Sequence, residues 1–133
     1  MDIEAIEEKG VLLAQILSNL SNKTTTQFAT DPKHILQVGT IEVNENRNIP
    51  RHRHQQTKRN ITGTSEVLIV IKGEVVAKIF SQSTTHLIAT RTLLAGMVIV
   101  LHNGGHSFES TKDSILLEVK NGPYSESLDK EFF

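Results

Sequence analysis

The sequence predicts an all-β domain, an antiparallel barrel or sandwich, preceded by one α-helix. Two observations carry the β prediction. From residue 34 onward, short apolar runs recur at steps of roughly 8 to 12 residues with turn residues between them. No helical pattern alternates with those runs, which argues against a parallel doubly wound sheet. The helix rests on a third observation, the three- and four-residue spacing of apolar residues near the start of the chain.

That first segment, residues 2–21, places Ile3, Ile6, Leu13, Ile16, Leu17 and Leu20 on one stripe. Asp2, Glu4, Glu7 and Glu8 occupy the first turns, where the helix dipole favours negative charge. Gly10 weakens the middle by about 1 kcal/mol relative to alanine. Residues 1–22 therefore read as a helix packed on the β-domain or on a partner. "SNKTTTQFATDP" (21–32) reads as a polar connection.

The strands follow in order. "HILQVGTIEV" (34–43) alternates and ends at the polar turn "NENRN". "EVLIVIKGEVVAKIF" (66–80) reads as two strands broken at "KG". "THLIATRTLL" (85–94), "GMVIVL" (96–101), a strand restarting at His106, and "SILLEVK" (114–120) complete the set. The barrel spans 34–124, and 125–133 is a charged tail ending in two phenylalanines.

The chain has 133 residues, 38% apolar and 22% charged, as a single globular domain requires. Net charge is −1 and aromatic residues are 5%. Arg47, Arg51, Arg53, Lys58 and Arg59 cluster without interleaved aromatics, which disfavours nucleic acid as a partner. Without cysteine there is no disulfide, thiolate zinc site or thiol nucleophile. The acidic start and the short "MVIVL" run predict neither a secretion signal nor a membrane span, so the expectation is a cytoplasmic protein.

His52 and His54 are one residue apart. On a strand both imidazoles share a face and suit two cis positions on one metal, while Arg51 and Arg53 turn away. Two solvated histidines in a basic loop are the plainer alternative. Glu66 heads the inward row of Leu68 and Val70, where a buried carboxylate needs a partner. A divalent cation would serve, and so would Arg53, Lys58 or Arg59. His102 and His106 flank the "NGG" turn, so only one of them faces the interior of the other histidines. On "LEVKNGPY", Glu118 and Lys120 share a face with Leu116, opposite Ile115, Leu117 and Val119. If that face lines the cavity, Glu118, Lys120 and the single tyrosine, Tyr124, are candidates to bind a polar substrate or move its proton.

The order H-x-H, Glu, six residues, Gly, then a later Gly…His resembles the two cupin motifs. "EVLIVIKG" (66–73) matches the end of the first. In the second, Gly96 and Gly104 fall in place, His102 stands where proline is usual, and His106 comes one residue early. Between His54 and Glu66 lie 11 residues, against the three or four usual in the family. "SEVLIVIKGEV", "GGHSFE" and "LEVKNGPY" are similar to a subgroup associated with surface-polysaccharide or sugar-nucleotide pathways. The resemblance implies a cupin-type jelly-roll β-barrel following the N-terminal α-helix. It implies one divalent transition metal (Fe, Mn, Ni, Co or Zn) on His52, His54, Glu66 and His106. It further implies a small polar substrate such as a sugar or nucleotide sugar, with metal-assisted isomerisation or epimerisation as the reaction. A non-catalytic metal- or sugar-binding cupin and an Fe(II) dioxygenase are the alternatives. A homodimer is expected, through the N-terminal segment and the apolar face of Val67, Ile69 and Ile71.

Overall fold

The computed structural model describes residues 1–22, 25–125 and 129–133. Ten strands occur among them. They are β1 (Asp2–Glu8), β2 (Val11–Ser18), β3 (Gln27–Phe28), β4 (Gly39–Thr40), β5 (Glu66–Lys72), β6 (Glu74–Phe80), β7 (Leu87–Leu94), β8 (Val98–Leu101), β9 (Gly105–Ser110) and β10 (Ile115–Lys120). All pairings are antiparallel. One sheet runs β1-β2-β8-β5-β10, a second β7-β6-β9, and β3 pairs with β4.

The expected N-terminal helix is a β-hairpin. Lys9 and Gly10 both take positive φ, 50° and 81°, the geometry of a two-residue hairpin turn whose twist matches the flanking strands. β1 and β2 then pair from Asp2↔Ser18 to Glu8↔Val11, with an irregularity between Ile6 and Glu7. Apolar spacing misleads here for a definite reason. β2 lies between β1 and β8, and every residue from Leu13 to Leu17 is buried. A strand covered on both faces shows a continuous apolar run, not an alternation. Ile3 and Ile6, three residues apart, fall on opposite faces of a strand, and only Ile6 is buried.

The expected strand over 34–43 is also corrected. Only Gly39–Thr40 of it pairs, with Gln27–Phe28. Leu36 and Val38, with Ala29, pack instead on a cluster of Leu17, Val67, Val98 and Val100. Residues 25–40 thus cover the outer face of the five-stranded sheet. The Thr30 hydroxyl accepts from the Val38 N–H at 2.9 Å and helps close this cover.

The main core lies between the two sheets. Leu13, Ile16, Leu68, Val70 and Ile99 on one side meet Val75, Ala77, Ile79 and Leu93 on the other. β8 is buried throughout, because sheet neighbours flank it and both its faces are covered. The chain passes from the larger sheet to the smaller at Gly73, where φ is 88°. A Cβ there would stand 2.7 Å from Ser114 Cα, so glycine is required twice over. At one flank Glu4 of β1 accepts from the Arg91 guanidinium of β7, 2.7 Å away. At the other flank β10 and β9 are edges. No backbone ladder among the described residues joins the two sheets, so the observed form is a sandwich of antiparallel sheets, not a closed barrel.

Candidate polar-ligand site

Glu66 opens β5 opposite Lys120 of β10 and Leu101 of β8. Alternation puts its side chain on the inter-sheet face with Leu68 and Val70. The backbone ahead of it is clamped. The Ser65 N–H donates to Asn121 Oδ1 at 2.8 Å, and Asn121 Nδ2 donates to the Gly63 carbonyl at 3.1 Å. His106 and Phe108 sit opposite Ile79 and Ala77, which are core residues, so both point between the sheets as well.

Glu66 and His106 meet there. His106 Nε2 lies 3.2 Å from Glu66 Oε2, an ion pair whenever the imidazole is protonated. The Glu66 side chain is 10% exposed and that of His106 is 32%. This answers the burial cost of the carboxylate with a partner, and that partner is a histidine, not Arg53, Lys58 or Arg59. The pair forms part of the wall of a cleft of about 810 Å³. Thr64, Ser81, Ser83, Thr84 and Asn103 supply hydroxyl and amide groups to the same wall, and Phe108 an apolar surface. Residues 129–133 border the cleft, with the Phe133 ring edge-on to Phe80 at 5.5 Å.

The two other candidate ligands lie elsewhere. His52 and His54 are exposed on an irregular segment, not on a strand. Their rings stand edge to face with centroids 5.3 Å apart, and His52 Nδ1 is 2.9 Å from the Pro50 carbonyl oxygen. Among the described residues, no three His, Asp or Glu side chains converge as a metal site would require. The four-residue set His52, His54, Glu66 and His106 therefore does not fit one ion as it stands. The structure assembles only the Glu66–His106 half.

Glu118 and Lys120 do lie on the inter-sheet face, opposite Leu68 and Glu66. β10 is an edge, however, and Glu118 is exposed. Lys120 Nζ stands 4.5 Å above the Tyr124 ring, which is itself exposed. These three residues make a group of their own beside the cleft.

Of the two histidines around the glycine turn, His106 joins Glu66 and His102 turns away. His102 Nε2 is 2.9 Å from Gln15 Oε1. Gln15 Nε2 donates to the Ala29 carbonyl at 2.9 Å, so its oxygen is left to accept and His102 Nε2 carries the proton. The His102 ring contacts His34 at 4.4 Å, beside a smaller cavity of about 330 Å³. Burial, reinforced by the neighbouring His34 charge, lowers the His102 pKa to about 4. His34 Nδ1 is buried without a hydrogen-bond partner among the described residues.

This second cluster joins residues 15, 34 and 102, and no local pattern connects them. Its one sequence signal is Gln15, a lone amide in the apolar run "VLLAQILS". No protein-family description, no curated protein and no solved structure matches this chain.

Proposed function

We propose that this protein binds a small polar molecule, a sugar or nucleotide sugar, in the cleft between its sheets. Glu66 and His106 act on it there as an acid–base pair. The observation that carries this reading is the buried Glu66 carboxylate, 3.2 Å from His106, at the wall of an 810 Å³ cleft edged with hydroxyl and amide groups. A carboxylate and an imidazole in contact can take a proton from a carbon beside a carbonyl and return one either to the neighbouring carbon, which isomerises, or to the opposite face of the same carbon, which epimerises. Such a transfer isomerises or epimerises a sugar with no net change in its atoms. The hydroxyl groups of the wall suit the hydroxyl groups of such a ligand.

The cupin jelly-roll assignment belongs to the same proposal. Its support is that Glu66, which fits the first motif, and His106, one residue from its place in the second, meet across the sandwich although distant in sequence.

The test is a panel of sugars and nucleotide sugars incubated with the protein in deuterated water. Solvent deuterium should enter at the carbon beside the carbonyl. Glu66→Gln and His106→Gln should each slow that exchange by roughly 10²- to 10⁴-fold, the usual worth of one acid–base group. Binding without exchange would favour the non-catalytic sugar-binding alternative, and oxygen uptake the dioxygenase. Absence of both binding and exchange across the panel would remove the reading.

A second reading is a divalent transition metal held by Glu66 and His106 and completed by His52 and His54. Its residues stand as two separate pairs, Glu66 with His106 and His52 with His54, so it requires the exposed 41–62 segment to bring the second pair to the first. Metal analysis of protein purified without immobilised metal decides it. About one equivalent should be present, and His52→Ala/His54→Ala should lose it while remaining folded.

A further inference from the structure

We propose that two copies of this chain join through β10, in antiparallel register centred on Val119, so that Glu118 of each copy pairs with Lys120 of the other. Three observations carry this. β10 is an edge of the five-stranded sheet, so one row of its backbone N–H and C=O groups has no strand beside it. Its outer face is apolar yet open: Ile115, Leu117 and Val119 are 56%, 50% and 48% exposed, and Ile71 on the neighbouring strand is 55% exposed. Apolar side chains left open along an edge strand mark it as a place where another strand can pair.

The third observation selects the occupant. "EVK" (118–120) is complementary to itself. A two-fold axis through Val119 sets Glu118 opposite the second copy's Lys120, and Lys120 opposite its Glu118. Opposite charges directly across an antiparallel pair stabilise it and fix its register. Val119 then faces its own copy on the outer side. Among the described residues Glu118 has no ion pair within the chain, and Lys120 stands over Tyr124 at the same edge. The opposite edge of this sheet lacks the property. β1 carries Asp2, Glu4, Glu7 and Glu8 with no cation, so pairing with itself would bring carboxylates together.

The experiment is sedimentation of the full chain together with two charge-reversed variants. Wild type should run at twice the 14.8 kDa chain mass. Glu118→Lys and Lys120→Glu should each run as monomers, because either change opposes like charges twice across the axis. An equimolar mixture of the two variants should form dimers with one copy of each, since lysines then face glutamates at both positions. A merely local role for the two residues within one strand would not produce that rescue. Far-UV circular dichroism checks that each variant is folded. A monomeric wild type, variants that dimerise alone as wild type does, or a mixture of folded variants that stays monomeric would each overturn the proposal.

Discussion

Gln15 holds two parts of the molecule with one amide. Its nitrogen fastens Ala29 of the outer cover, and its oxygen accepts from His102 beyond β8. A buried amide with both ends satisfied is tolerated in an apolar strand; one left open would cost about 1–3 kcal/mol. His102 inherits a pH dependence from this position. In the unfolded chain it titrates near 6.5, in the folded protein near 4. Between those values the unfolded chain binds more protons, so stability falls as the pH drops through the window and is complete above it. Urea midpoints should therefore decline from pH 7 to pH 4.5, and His102→Gln should decline less over the same range. A variant with the wild-type slope would show that His102 is not the group responsible. At Glu66 the sequence makes a charge on an inward row evident, and with it the need for a partner. Which partner meets it depends on β9 crossing over β5, which no local spacing reports.

The N-terminal hairpin shows how an element is decided by its surroundings. Residues 2–21 carry a helical stripe and helix-compatible charges, but propensity is a weak prior against pairing with a buried sheet. The legible clue was "KG" at 9–10, the same dipeptide that correctly divides β5 from β6 at 72–73. Lys9 holds φ at 50°, where asparagine is the more comfortable residue. Lys9→Asn should stabilise the protein by about 0.5–1 kcal/mol as a hairpin turn, whereas asparagine in mid-helix would destabilise. Denaturant titration of the two proteins separates these outcomes. The segment 34–43 makes the complementary point. Its alternation is real, but it serves to lay Leu36 and Val38 on the sheet, with only two residues hydrogen-bonded as strand.

For the whole molecule, stability should grade outward from β8. That strand is buried along its length between β2 and β5, while residues 41–62 lie almost entirely exposed outside regular structure. Amide hydrogen exchange should be slowest in Val98–Leu101 and fastest through 41–62, with β10 slowed in any dimer that covers its edge. Uniform protection across the two regions would contradict this layering. The amino-acid order is enough for the all-β character after residue 34, for β5, β6 and β10 to within a residue and β7 and β8 to within two, and for the glycine corner at 73. Period-two alternation and left-handed turns are local properties, and local properties survive in a one-dimensional reading. Tertiary structure alone decided that the first twenty residues form a hairpin, because a strand buried on both faces loses its alternation. It also decided that Glu66 meets His106 and not a basic residue, and that Gln15, His34 and His102 form one cluster. Each of those depends on which sheet a strand joins and what lies across from it, and that is fixed only when the core closes.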